Sequence, residues 1–387
     1  MLGPLVSGAA FGAALAATAI HQPDIIIAQM SFRNWQMVTT FLTASATSTL
    51  LVNLFQRLGF IHLPPRHYST LGLFGPPDGN IIGGLLLGAG LTISGSCPGT
   101  VFVQVGGGIR SGFYTLGGAI LGGLIWSAFL RPTFGGRTRP TNEATVAKSE
   151  PLSLDEWIGT DRSTALVAVE TLLSSILAAI IYLASPQSDG LAGPVTGGLL
   201  VAGAQVVSIV TRKSLLGTSS AFEEVGDYFM WVIGRGVRPK SYNTIALAAG
   251  MAAGAFLVSL ASPSARVVPE TAIDPTRAVL GGSLLAIGSR MAGGCTSGHG
   301  ISGISLLSVS SFVTVAAMFA GGAGVAAEAL ASETNIGRSL YYVALSHRRS
   351  IASSLSPKTN DEPDLSCLYN ERNELVNQTS YCPPQEE

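Results

Sequence analysis

What this chain can fold into is constrained first by where its charge is missing. Much of the charge sits in three stretches, residues 131–162, residues 212–240 and the tail from Glu333 onward. Between them run apolar segments at 3–21, 36–56, 112–131, 163–184, 192–211, 242–262 and 310–331. Each meets or approaches the roughly 20 mostly apolar residues an α-helix needs to cross the hydrocarbon core. Two more segments, 80–95 and 276–291, are apolar but short, and each runs straight into a Gly/Cys turn, so they read as half-helices. An amphiphilic stretch, 225–236, either completes a span or lies at the interface. The pattern predicts an all-α, polytopic membrane protein of about eight or nine transmembrane helices with several re-entrant pieces.

Composition supports this. Only 12% of the 387 residues are charged, against about 25% in an ordinary soluble protein, too few to cover a water-soluble globule of this size. The 47 glycines, with Ala, Ser and Thr, fill the apolar stretches, as in tightly packed transmembrane helices. No basic stripe suggests nucleic acid. Met1 to Ile20 contain no Lys or Arg, so residues 3–21 read as a retained first span and not as a cleaved signal. Basic residues cluster at Arg131, Arg137, Arg139 and Lys148, and again at Arg338, Arg348 and Arg349, which the positive-inside rule places in the cytoplasm. The expected location is the plasma membrane.

The halves repeat. Gly83-Gly84, Leu86-Leu87, Gly90, Gly95 and Cys97 match Gly281-Gly282, Leu284-Leu285, Gly288, Gly293 and Cys295 at a constant offset of 198 without a gap. Upstream, Gly3-Pro4 matches Gly193-Pro194 and Ser31-Phe32 matches Ala221-Phe222, both at an offset of 190. A duplicated fold of two pseudo-symmetric, inverted repeats accounts for this. The expected organisation is a first membrane repeat over 1–131, a polar proline-broken linker over 132–162, a second repeat over 163–333 and a disordered polar tail over 334–387.

Of the four cysteines, Cys367 and Cys382 lie in the polar tail, with no metal-ligand spacing, and Cys97 and Cys295 lie in matched turns. Those turns, Ser94-Gly95-Ser96-Cys97-Pro98-Gly99-Thr100 and Gly293-Gly294-Cys295-Thr296-Ser297-Gly298-His299-Gly300, are rich in glycine and small hydroxyls. Irregular backbone at membrane depth is tolerated only where protein buries it or a cavity is lined by it. Isolated cysteines are commonly just small buried residues. Matched positions in two repeats favour a shared role. An uncharged thiol is a weak S–H donor with a polarizable sulfur, suited to a soft, sulfur-bearing anion held loosely enough to leave. No Lys or Arg adjoins either cysteine in sequence. Arg290, five residues before Cys295 in an apolar run, either faces a cavity and attracts the anion, or snorkels or pairs with a carbonyl. Its repeat equivalent is Thr92. His299 is either a substrate donor or a satisfied structural histidine. Glu223 and Glu224 either relay protons or mark a helix end. Gly117-Gly118 with Gly122-Gly123 reads as a helix-packing face.

The paired turns, with the duplication, resemble the YeeE/YedE family of sulfur-transport membrane proteins over roughly residues 1–330. The resemblance implies helix–loop–helix elements entering from both faces and meeting at a narrow centre, where thiols contact thiosulfate by successive S–H hydrogen bonds. Cys97 and Cys295 match two of the family's cysteines. Its further cysteines have counterparts at Met30–Phe32 and Thr218–Ala221, which contain none, and Thr218 and Ser219 offer hydroxyls instead. The expected substrate-contacting set is therefore Cys97, Ser96, Pro98, Gly99, Cys295, Gly294, Thr296, Ser297, His299, Arg290, Thr218 and Ser219. The expected partners are thiosulfate or a similar small anion, the lipid bilayer and, as a further candidate, a cytosolic sulfur-accepting protein; no nucleic acid, metal or cofactor is called for. The alternative from another class is a membrane-bound sulfurtransferase with a persulfide-forming cysteine, which needs an activated thiolate.

Overall fold

A computed structural model describes residues 2–135, 151–184, 190–239, 241–262 and 273–355. The described residues form fourteen α-helices and two π-helical segments. They contain no strand, only an isolated bridge between Ser153 and Ser308. In chain order the helices are α1 (Leu2–Ala17), α2 (Pro23–Met30), α3 (Gln36–Arg57), α4 (Asp78–Ser94), α5 (Thr100–Gly107) and α6 (Arg110–Ile125). The last of these runs through a π segment, Trp126–Leu130, into α7 (Arg131–Gly135). There follow α8 (Leu154–Ile158), α9 (Arg162–Ala184), α10 (Pro194–Arg212), α11 (Ser220–Val232), α12 (Asn243–Ala261) and α13 (Pro275–Met291). A second π segment, Ser297–Gly303, precedes α14 (Val309–Leu355).

Among the described residues six stretches are long and apolar enough to cross a membrane: α3, Arg110–Phe134 (α6 and its continuation), α9, α10, α12 and the Val309–Ser332 part of α14. α1, α4 and α13 have 16 or 17 residues each and fall just short of that length. Every expected apolar segment is thus helical, the short ones at 80–95 and 276–291 included. Their boundaries follow local chemistry. Asp274 caps α13 by accepting the Thr276 and Arg277 N–H groups at 2.9 and 3.2 Å, with Pro275 at the first helical position.

The chain divides into two compact units, Met1–Ala329 and Leu330–Glu387. In the first, α1 packs on α12 and α10, α3 on α10 and α9, α4 on α13, α6 on α13 and α11, and α5 on α12. Two crossings are made by backbone against backbone. A Cβ at Gly83 would stand 2.6 Å from Gly288 O, and one at Gly288 2.8 Å from Gly83 O. Farther along the same helices, a Cβ at Gly90 would stand 2.8 Å from Gly281 O, and one at Gly281 3.1 Å from Gly90 O. The α1–α12 crossing is equally tight at Gly12, whose Cβ would lie 2.1 Å from Met251 O, and at Gly254, 2.1 Å from Ala9 O. Only glycine permits such an approach, which lets two helices associate in lipid without a hydrophobic driving force. The core they enclose includes Phe11, Leu15, Ile26, Leu87, Leu91, Met251 and Phe222. Phe222 stacks on Phe102 of α5 at 5.4 Å. By contrast α9 is only 11% buried over its spanning window. It meets the rest through Ala165, Val169 and Leu173.

Of the second unit, the described part is the end of α14, which runs on to Leu355. Helix therefore continues into the stretch expected to begin a disordered tail at Thr334; no proline interrupts it before Pro357. Residues 136–150 of the linker with Arg137, Arg139 and Lys148, the side chains of Arg338, Arg348 and Arg349, and residues 356–387 with Cys367 and Cys382 lie outside the described residues.

Candidate functional site

The first cysteine turn is built from its own residues. α4 ends where Gly95 takes φ +59°. A Cβ there would press on Pro23 at 2.7 Å, so glycine is required on both counts. The chain then starts α5 with a reciprocal cap. Thr100 Oγ1 accepts the Cys97 N–H at 2.8 Å, while Cys97 Sγ accepts the Thr100 N–H at 3.3 Å. This is the capping-box arrangement with a sulfur in place of the hydroxyl, and Pro98 follows where a missing N–H costs nothing. Ser96 Oγ donates to Gln104 Oε1 at 2.8 Å, and Gln104 Nε2 donates to the carbonyls of His21 and Gly95 at 2.7 and 2.9 Å. Cys97 and Ser96 are buried.

The second turn draws on more of the molecule. α13 ends at Met291, Gly293 takes φ +78°, and Cys295 leads into the π segment. Cys295 Sγ lies 3.4 Å from Ser297 Oγ and 3.5 Å from Thr218 Oγ1, the latter from the loop before α11. His299 is fully engaged: Nε2 donates to Ala292 O at 3.1 Å, which leaves Nδ1 to accept from Ser311 Oγ at 2.9 Å. It holds the turn closed. Thr296 is buried and its Oγ1 has no partner among the described residues. With Gln29 and Ser45 it edges a small, mostly apolar cavity of about 70 Å³.

Gly99 stands close to both turns. A Cβ at Gly99 would stand 3.9 Å from Cys97 Sγ and 3.6 Å from Thr218 Oγ1, the hydroxyl that touches Cys295. A second glycine opens the other side of Cys295. A Cβ at Gly298 would stand 3.6 Å from Cys295 Sγ and 3.5 Å from Arg66 Nη2. Arg66 in turn borders a polar cavity of about 210 Å³ with Arg212, Ser214, Ser219, Ser220 and Thr244, floored by Gly293, Gly294 and Gly298. The polar groups thus follow one another from Arg66 to Cys295, to Thr218 and on to Cys97.

Arg66 was invisible to sequence reasoning. It sits in the non-helical connection between α3 and α4 and is brought to the turn by contacts distant in sequence. Ser308 Oγ accepts the Arg66 N–H at 2.8 Å, and Ser310 Oγ donates to its carbonyl at 3.1 Å. Arg66 Nη1 donates to Gly293 O at 3.2 Å. Asn80 bolts the same connection down, accepting the Ser69 N–H at 2.8 Å and donating to Ala292 O at 3.0 Å. So a cation does adjoin Cys295 in space, though none does in sequence.

Arg290 is placed differently from either expected role. Its guanidinium makes a close ion pair with Glu223 and donates to Ser220 Oγ at 3.3 Å, and it does not line the polar cavity. Glu223 also pairs with Arg131 at 3.1 Å, and Arg131 with Asp227 at 2.9 Å, so four charges knit α13, α11 and the start of α7 together. Glu224 accepts from Thr244 N, Thr244 Oγ1 and Ile245 N at 3.1, 3.0 and 3.0 Å, capping α12 from a neighbouring helix. Of the expected set, Thr218 and Ser297 touch Cys295, Gly99 lies beside Cys97 and Thr218, and Gly294 and Ser219 line the polar cavity. Ser96, Pro98 and His299 shape the turns.

Comparison with curated proteins gives no match. A family model described as sulphur transport matches residues 20–324, which includes both cysteine turns, Arg66 and Thr218. The chain belongs to the YeeE/YedE family of sulphur transport proteins and is a multi-pass integral membrane protein.

Proposed function

We propose that this chain carries thiosulfate, or a closely related small sulfur-containing anion, through a constriction lined by Cys97 and Cys295. The observation that carries this reading is the row of polar groups from Arg66 through Cys295 and Thr218 to Cys97, with the side-chain-free Gly298 and Gly99 at two of its steps. Moving a dianion into a low-dielectric interior is costly unless charge or hydrogen bonds replace its water. Arg66 and Arg212 supply the charge at the polar cavity, where the anion first collects. Beyond them the path is neutral. Hydroxyl and thiol hydrogens of Ser297, Cys295, Thr218 and Cys97 take the anion in succession, each weakly enough to let it go.

The fold we infer for this task is a pair of inverted repeats carrying nine membrane helices, with α1, α4 and α13 as the short ones. Support comes from reciprocity. Gly83 meets Gly288 and Gly90 meets Gly281, which are the two exchanged pairs that a two-fold relation at offset 198 requires. The two helices run in opposite directions, as inverted copies do. The α1–α12 packing has its counterpart in α10 on α3.

Arg66 beside Cys295 favours one second reading, because a nearby cation favours the thiolate. A Cys295 thiolate would attack the outer sulfur of thiosulfate; the new S–S bond forms as the old one breaks, and sulfite leaves with the bonding electron pair. Uptake into vesicles reconstituted with the full chain separates the two readings. Carriage predicts accumulation of intact, sulfur-labelled thiosulfate, competed more strongly by unlabelled thiosulfate than by sulfate or sulfite. Accumulation no greater than in protein-free vesicles sinks carriage; release of sulfite in step with a Cys295 persulfide establishes the transfer instead.

A further inference from the structure

A large cavity lies away from the cysteines. It is a cleft of about 670 Å³ where the C-terminal end of α3 meets the N-terminal end of α9, and its lining includes Arg57, His62, Arg162, Asn53, Gln56 and Leu166. Both helices are long enough to span a membrane, so their meeting ends put the cleft at a membrane surface. We propose that it binds the phosphate headgroup of an anionic phospholipid.

Charge is the first support. Among the described residues no carboxylate lines the cleft, and neither Arg57 nor Arg162 forms an ion pair. Arg57 stands at a helix C-terminus, where a cation is favourable without further explanation. Arg162 does not. It opens α9, at the end of the helix dipole that disfavours a cation. Its guanidinium is held there by neutral groups, with Nη2 donating to Gln56 Oε1 at 3.1 Å and Nε reaching Asn53 Oδ1 at 3.5 Å. Amide oxygens orient the fork without cancelling its charge. The neighbouring Asp161 is spent on its own helix, accepting from Ser163 Oγ and from Thr164 N and Oγ1 at 3.1 and 2.6 Å. Two cations thus line one cleft with uncharged groups around them.

Shape is the second support, and it selects a lipid over a soluble anion. The cleft also has Leu63, Pro64 and Pro65 in its wall. Next in sequence to its lining residues, Leu54 of α3, Leu58 just past that helix and Val167 of α9 are 51%, 69% and 61% exposed. A basic notch bordered by outward apolar side chains accommodates a phosphate in the notch and acyl chains along the helices, as basic pockets between membrane helices do. A free phosphate would have no use for the apolar flanks.

Native mass spectrometry of the detergent-purified full chain, titrated with phosphatidylglycerol or phosphatidylcholine, reads this directly. Phosphatidylglycerol should be retained in preference, and the pair R57Q/R162Q should weaken it about 30-fold, with roughly a factor of five from each arginine. R57K/R162K keeps the charge and should retain most of the binding, which excludes a fold defect as the cause. Equal retention of the two lipids, or an R57Q/R162Q chain that binds phosphatidylglycerol like the parent, overturns the proposal. So does inorganic phosphate displacing the lipid at equal concentration, since that makes the site one for a soluble anion.

Discussion

The two cysteine turns occupy equivalent places in sequence but draw their hydrogen-bond donors from different distances. At Cys97 the sulfur accepts the N–H of Thr100, and Gly99 is the other donor turned to it, so the turn is self-contained. At Cys295 the sulfur meets Ser297 of its own turn and also Thr218, 77 positions away. The sulfur of the first turn is therefore bonded within its own turn, although Gln104 also ties that turn to His21. The second is completed only when the loop before α11 is seated. On the proposed path the first turn is the fixed wall and the second the assembled wall, and the second is the one that adjoins Arg66 and the polar cavity.

A bulky side chain at Gly99, between the walls of the proposed path, should have the largest effect. Gly99 has φ −92° and ψ −49°, a conformation open to any residue, and its Cβ would sit at ordinary contact distance from Cys97 Sγ and Thr218 Oγ1. Gly99→Leu should fold, elute as the parent does on size exclusion, and lose uptake to the level of empty vesicles. Uptake near the parental rate would mean that the anion passes elsewhere and that the two walls do not form a path.

Next come the donors of the assembled wall. Cys295→Ala should lower thiosulfate uptake about ten-fold, the equivalent of one hydrogen bond to an ion. Thr218→Val, which keeps the volume and removes the hydroxyl, should lower it by a smaller factor of about five. Transport that falls for Cys97→Ala but not for either of these changes would reverse the assignment of the two walls.

For the fixed wall the comparison sharpens into stability. Cys97→Ala removes the sulfur that caps α5 and should cost about 1 kcal/mol, read as a lower melting temperature in detergent. Cys97→Ser supplies a better cap and should restore that stability while still transporting poorly. Cys295→Ser, with no reciprocal cap to lose, should leave melting unchanged. A serine at 97 that restores both melting and uptake would reduce Cys97 to a structural residue.

What could be read beforehand follows the same division between local and distant contacts. The membrane helices, the half-helices α4 and α13 and the two turns are set by runs of apolar residues and by glycines, which are contiguous in sequence. The pairing of Cys97 with Thr100 is likewise local, a Cys-x-x-Thr pattern at a helix start. Arg66 carries no such pattern; its place depends on Ser308 and Ser310, which lie more than 240 positions away. The same blindness affects Arg290, which an apolar run marks as unusual but whose partner Glu223 is named only by packing of α11 on α13. Glu224 reads in sequence as the twin of Glu223, yet it caps a different helix.

That ion pair offers the smallest effect on uptake and the finest test of the comparison. Ahead of the fixed wall, the equivalent of Arg290 is Thr92, whose Oγ1 donates to Gly322 O at 3.0 Å, a neutral tie between α4 and α14. Ahead of the assembled wall, Arg290 and Glu223 make the corresponding tie with charge, and Glu223 lies only three residues beyond Ser220 on the helix that follows the Thr218 loop. If the pair only seats that loop, removing one partner should hurt more than removing both. Glu223→Gln alone leaves the partly buried Arg290 without its mate and should cost about 1–3 kcal/mol of stability, while Arg290→Gln, which leaves Glu223 its bond to Arg131, should cost less. The double change should recover most of it, with uptake within about two-fold of the parent. A double variant that is stable but has lost its affinity for thiosulfate would instead assign Arg290 to the substrate, as a cation the anion draws away from Glu223.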